Sequence, residues 1–147
     1  MDLNFKRVED SYDRYKYGMI SIIWDKKHTY SLDGQLGVDW MFQEMILAYL
    51  NDDLVGIGDI NTFYENKVKK ARLGVITHPK YRKKGIASEL IREMLICCRD
   101  ELNVEVAVAN ILSTNKKSLA KAEKNEFELI GSNGKILTYE KKLINKI

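Results

Sequence analysis

Three cations in a row, Arg82, Lys83 and Lys84, stand directly ahead of Gly85 in the segment HPKYRKKGIASELIREML, residues 78–95. An apolar helical pattern begins at the glycine. Like charges packed at one turn repel one another, so the arrangement makes chemical sense where an anion sits among them. A solvated basic loop is the alternative. A strand ending at Thr77, a loop over 78–84 and a helix opening near Gly85 would point backbone N–H groups outward at a helix N-terminus. There the unsatisfied donors and the helix dipole favour phosphate. Gly85 lets a ligand approach the backbone, Ala87 is small, and the cations add charge, so a pyrophosphate fits.

Two other phosphate patterns are excluded. No G-x-x-x-x-G-K-S/T occurs, and Gly56 and Gly58 lack the third glycine at Asn61 and lie in a hairpin strand. The elements that must position the loop follow from periodicity. The stretch 3–8 reads as a short strand, 10–24 as helical and 25–37 as loop. MILAYL (45–50) and LVGIGDINTFY (54–64) form a hairpin about Asn51, Asp52 and Asp53. VKKARLGVIT (68–77) follows a turn at 65–67. Ile86, Ala87, Leu90, Ile91, Met94, Leu95 and Cys98 then recur at helical spacing, opposite Glu89, Arg92, Glu93, Arg99 and Asp100. VEVAVANI (104–111) arrives after that helical crossover, so it should run parallel to 68–77. NKKSLAKAEKNEF (115–127) reads as a shorter helix, and 127–143 as a final hairpin turning near Asn133 and Gly134. The order β-β-β-α-β-α-β-β after an N-terminal helical segment predicts an α+β (mixed α/β) fold. Its centre is one twisted mixed sheet of about six to seven strands flanked by helices.

With 147 residues, 45% apolar and 31% charged, and no linker or repeat, the chain is expected to form one domain over 1–147. A formal charge of +3 is too small for nucleic-acid binding by bulk field, so an anion site must be local. RNA binding through Lys83, Lys84, Lys116 and Lys117 lacks the interleaved aromatics that stacking needs. The charged stretch MDLNFKRVEDSYDRYKYG has no apolar run of the kind a secretory signal requires, and no run reaches membrane-spanning length, which points to a cytoplasmic address. Cys97 and Cys98 are adjacent in a helical pattern, where geometry disfavours a mutual disulfide and spacing offers no metal site. They read as small core residues.

RKKGIA (82–87), with its HP-x-YR lead-in, resembles the Q/R-x-x-G-x-G/A acyl-coenzyme A loop of the GCN5-related N-acetyltransferase (GNAT) family. Asn115, Ser118, Glu123, Lys124 and Phe127 resemble that family's second motif, N-x-x-A/S followed by E-K-x-G-F. Both stand in the right strand-helix order, and the resemblance covers roughly 45–143. It implies acetyl-CoA as co-substrate, with no metal, and an amine-bearing small molecule or peptide as acceptor. The coenzyme pyrophosphate would lie on the backbone of 83–88, meaning Lys83, Lys84, Gly85, Ile86, Ala87 and Ser88, with Arg82 beside it. Pantetheine would pair with exposed strand backbone near Ile76 and Thr77, opposite 105–109. Asn115, with Ser118, would contact the coenzyme arm or order the loop beneath it. Relatives often dimerise through terminal strands, which makes ILTYEKKLINKI (136–147) the expected homodimer segment.

An alkyl ammonium has a pKa of about 10.4, so acetyl transfer requires that a proton be removed. The candidate bases are Glu65, Asp59 and His78. A backbone N–H at Ile76 or Thr77 is the candidate oxyanion donor. The resemblance also implies a tyrosine acid one residue before the Glu-Lys pair and a glycine before Phe127. Here those positions hold Ala122 and Glu126. Aromatics gather ahead of the motif region, at Trp24, Tyr30, Trp40, Phe42, Phe63 and Tyr64, where core packing competes with a substrate pocket lined by Trp24, Tyr30 and Tyr64. An acetyl-CoA-dependent N-acetyltransferase is the leading expectation. The alternative is a catalytically silent acyl-CoA sensor or protein-interaction module on the same fold.

Overall fold

In the computed structural model, which describes residues 2–24, 44–82 and 84–143, seven strands form one mixed sheet. Strands β1 (Leu3–Arg7), β2 (Glu44–Leu50), β3 (Asp53–Glu65), β4 (Val68–Thr77), β5 (Val106–Leu112), β6 (Glu128–Asn133) and β7 (Ile136–Lys142) lie in the order β1-β2-β3-β4-β5-β7-β6. Helix α1 (Ser11–Trp24) follows β1, α2 (Ile86–Asp100) crosses from β4 to β5, and α3 (Lys116–Lys124) links β5 to β6. The α2 crossover is why β4 and β5 run parallel, pairing Lys70, Ala71 and Arg72 with Val106, Ala107 and Val108. The predicted element order is the observed one. Among the described residues no helix is long and apolar enough to cross a membrane.

Two compact units make up the chain, one from residues up to 61 with 74–94, the other from 62–73 with 95 onwards. In the first, Asp10 starts α1 by accepting from Tyr12 N at 2.7 Å through its carboxylate and from Arg14 N at 3.0 Å through its carbonyl. One face of β3 joins a core of Val8, Met45, Leu47 and Ile57, against which Tyr17, Ile20, Trp24 and Ile76 pack. The other face of β3 carries glycines because α2 lies directly on it. A Cβ at Gly56 would stand 3.2 Å from Leu90 Cδ2, and one at Gly58 only 2.4 Å from Met94 Sδ. Alternation along the strand therefore sends odd positions toward the α1 side and even ones toward α2.

The second unit is built on the β5–β7 ladder, from Val106↔Lys142 to Leu112↔Ile136. Its core is Ala107, Ile111, Ala122, Phe127 and Tyr139. Cys97 and Cys98 are buried free thiols, and burial, with Cys97 beside it, pushes the Cys98 thiol up to about 12. Asn66 and Lys67, both at positive φ, close β3 onto β4, and Gly134 (φ 64) turns β6 into β7. β7 is hydrogen-bonded to β5 and to β6, so residues 136–142 cannot add to a second copy edge to edge. The open edge there is β6, where Leu129 and Ile130 are exposed. Residues 144–147 lie outside the described residues.

Candidate active site

The anion loop is assembled in the first unit. His78 ends β4 by donating its backbone N–H to Val55 O at 2.9 Å, and its Nδ1 accepts from Lys80 N at 3.1 Å, starting the short turn Pro79–Tyr81. An imidazole that accepts at Nδ1 carries its proton on Nε2, so the ring's lone pair is already engaged. Trp24 and Tyr81 stack edge-on against this ring, at 5.0 and 5.6 Å between centroids. Tyr81 donates its hydroxyl to Asp53 at 2.9 Å, and that bond raises its pKa above the usual tyrosine value. Lys84 Nζ lies 5.7 Å from the Tyr81 ring centroid.

Arg82 does something its sequence position did not suggest. Its Nη2 donates to Trp24 O at 2.9 Å, and its Nε approaches Thr77 O at 3.4 Å. Helix α1 has no basic residue in its last turn, so this guanidinium supplies the cation its C-terminal carbonyls favour. Arg82 is thus a strut between α1 and the end of β4. Beyond it, Gly85 takes φ +81 with nothing within 4 Å of where a Cβ would be. Its carbonyl accepts the first α2 bond, from Glu89 N at 3.2 Å. The N–H groups of α2's first turn have no intrahelical partner by helix geometry, and the glycine leaves the approach to them open. Ile86 and Ala87 point into the core, and Ser88 is half-buried. Lys83 lies outside the described residues, as do Tyr30, Trp40 and Phe42.

Strand alternation sorts the backbone donors. Because the His78 N–H points to β3, so does that of Ile76, while Val75 and Thr77 turn theirs away from β3. Of the two expected donors, Thr77 is the one whose N–H this alternation turns away from β3. Ile76 instead packs its side chain in the core. Asp59 also belongs to this unit. Its carboxylate lies over Gly74 of β4, where a Cβ would be 2.4 Å from Oδ1, and its Oδ2 accepts from Asn61 Nδ2 at 3.2 Å.

The remaining candidates are in the second unit. Glu65 is paired with Lys70 at 2.8 Å, as is Glu140 at 2.8 Å, and these bonds, from Glu140 and then Glu65, raise the Lys70 pKa. Tyr64 is 71% exposed. Asn115 Oδ1 accepts from Ser118 N at 3.3 Å, capping α3. No group of three or more His, Cys, Asp or Glu able to hold a metal occurs among the described residues.

The model of the acetyltransferase (GNAT) domain matches residues 10–128, from the start of α1 through both motifs. The chain belongs to the GNAT acetyltransferase family. Membership makes it an acetyl-CoA-dependent N-acetyltransferase. No curated protein matches its sequence. Solved structures share the fold at low identity. The PaiA N-acetyltransferase of Thermoplasma acidophilum, in complex with coenzyme A, is 14% identical over 97% of this chain and 99% of that one, at a TM-score of 0.72. The spermidine/spermine N-acetyltransferase SpeG of Vibrio cholerae is 16% identical over 97% and 95%, at 0.69. The N-acetyltransferase PseH of Campylobacter jejuni, in complex with acetyl coenzyme A, is 16% identical over 95% and 98%, at 0.62.

Two departures from the family pattern have structural correlates in this GNAT chain. Ala122, where the resemblance implies a tyrosine acid, is 6% exposed within the second unit's core. Glu126, where it implies glycine, stands at φ 66, the left-handed conformation that glycine adopts without strain. That residue ends α3 at Lys124, short of the predicted 127.

Proposed function

We propose that this chain, acting as one acyltransferase domain, transfers the acetyl group of acetyl-CoA directly to a primary amine of a small molecule or of a peptide N-terminus. The observation that carries the reading is the start of α2, where Gly85 at φ +81 leaves open space before unpartnered first-turn amides. A pyrophosphate there would accept from the backbone of 84–88, with Lys84 adding charge. Bound acetyl-CoA supplies the acetyl group as a thioester, activated for transfer. The chain's part is to bind, orient and handle protons. Thr77 and Val75 N–H groups, turned away from β3, are set to donate to an oxygen that gains negative charge. Arg82 holds the end of β4 beside the loop through Thr77 O.

With Ala122 at the acid position, the leaving thiolate takes its proton from solvent or from the substrate nitrogen, which a thiol pKa of about 8.5 permits. An amine acceptor is supported by SpeG, named for spermidine and spermine. The test is titration calorimetry with acetyl-CoA beside a thiol-release assay over alkylamines, polyamines, amino sugars and N-terminal peptides. Binding with turnover on a primary amine is expected. Binding without turnover on any member would move the chain to the silent sensor, and no binding would overturn the site.

A further inference from the structure

Resting on that acetyl-transfer reading, we propose that Arg82 is a positioning residue for the transfer step. Its guanidinium ties the end of α1 to the Thr77 peptide and so sets the direction of the Thr77 N–H, while coenzyme binding is left to the backbone of the loop.

The turn ahead of α2 is fixed to β3 without Arg82. His78 donates its N–H to Val55 O at 2.9 Å, and Tyr81 donates its hydroxyl to Asp53 at 2.9 Å. Between these ties, the Lys80 N–H goes to His78 Nδ1 at 3.1 Å and the Tyr81 N–H to His78 O at 2.9 Å. The turn that leads into the pyrophosphate site is therefore shaped by bonds that survive a change at residue 82. Arg82 itself is exposed at the end of this turn, with extended backbone at φ −67 and ψ 156.

What Arg82 adds is a grip on a second element. The last carbonyls of a helix lack intrahelical partners and carry partial negative charge. Helix α1 has no basic residue in its last turn, and Arg82 Nη2 donates to Trp24 O at 2.9 Å. Its Nε lies 3.4 Å from Thr77 O. These two donors share one edge of a rigid plane, so their acceptors are held at a fixed separation. A lysine ammonium, a point charge on a flexible stem, cannot impose that separation. The Trp24 ring adds to the same junction, edge-on to His78 at 5.0 Å between centroids.

The peptide between Thr77 and His78 is thereby held from both sides, its N–H by Val55 O and its C=O by Arg82. The group is planar, so holding it fixes the ψ of Thr77. In a strand the N–H and C=O of one residue point the same way. The Thr77 N–H, the donor assigned to the acetyl oxygen, thus opens on the side of β4 where the guanidinium sits. A plane released at its carbonyl turns that donor, and misplacing a catalytic group by about 1 Å costs about 10²-fold in rate.

The experiment compares the full-length wild type with Arg82→Lys, which keeps the charge, and Arg82→Met, which keeps the stem and loses both donors. Acetyl-CoA affinity is measured by calorimetry. Thiol release at saturating acetyl-CoA gives kcat for propylamine, spermidine, glucosamine and a peptide with a free N-terminal alanine. Urea midpoints fix a temperature at which every chain compared is folded. On the best acceptor, kcat should fall about 10- to 100-fold in both variants. The acetyl-CoA Kd should stay within about threefold in both. A Kd raised about tenfold or more in Arg82→Met and restored in Arg82→Lys would make Arg82 a charge partner of the pyrophosphate and overturn the proposal. Full kcat in Arg82→Lys or in both variants would overturn it too, because the fixed plane would then be dispensable. In each case the acetyl-transfer reading stands. No thiol release by the wild type from any of these acceptors would overturn both.

Discussion

The two helix starts that carry the family motifs satisfy their backbone in opposite ways. At α3, Asn115 folds its side chain back and accepts from Ser118 N at 3.3 Å, so the helix end supplies part of its own partner set. At α2 the residue before the helix is Gly85, which has no side chain to fold back and takes φ +81 in open space. Both starts carry the same partial positive charge. Only one is left open to an external anion. A motif residue at a helix N-terminus can therefore mean opposite things, and the presence or absence of a capping side chain distinguishes them.

The sharpest way to break this contrast is Gly85→Glu, which fills the open approach and adds a negative charge. We expect acetyl-CoA affinity to fall more than about 100-fold by calorimetry, against a stability cost of about 1–2 kcal/mol from the left-handed φ. Retained affinity would mean that the anion site is elsewhere. Asn115→Ala is the converse test. Loss of the cap should cost about 1 kcal/mol in urea unfolding, Asn115→Asp should restore it, and acetyl-CoA affinity should stay within about twofold in both. A tenfold fall in affinity would show that Asn115 serves the coenzyme after all.

At the other end of α3, Glu126→Gly should relieve the strain of φ 66 and raise the urea midpoint, by about 1 kcal/mol of stability. Its ion pair to Lys141, at 3.7 Å, involves an 86% exposed carboxylate, so little is lost with it. The smallest effect is one of pH. Pairing with Glu140 and Glu65 raises the Lys70 pKa above its ordinary 10.5. A raised lysine pKa stabilises the fold fully below the unfolded value, and that contribution disappears as pH rises through the folded one. Stability of the wild type should therefore decline above about pH 10.5, and Lys70→Met should flatten that decline in melts taken from pH 8 to 11.5.

What the sequence revealed, and what it hid, follows the range of the interactions. Helix α2 was legible because Ile86, Leu90, Met94 and Cys98 form one stripe within a single segment, and the β3–β4 turn because Asn66 and Lys67 are local. The bond from Arg82 to Trp24 O was not legible because the two residues are 58 positions apart. The choice between Ile76 and Thr77 as outward donor turns on strand register, and a one-residue shift inverts it. The placement of β7 between β5 and β6 is likewise a matter of strand order that no local pattern records.

The close seating of Met94 on Gly58 bears on how this protein can change over generations. With Met94 Sδ 2.4 Å from where a Cβ at 58 would be, the strand and the helix occupy one shared volume, and neither position has an independent set of tolerated residues. Bulk at 58 is acceptable only when 94 shrinks, and a shortened 94 leaves a void that bulk at 58 can refill. A pairwise mutational scan should record the two as strongly epistatic, with the doubly exchanged chain fitter than either single step.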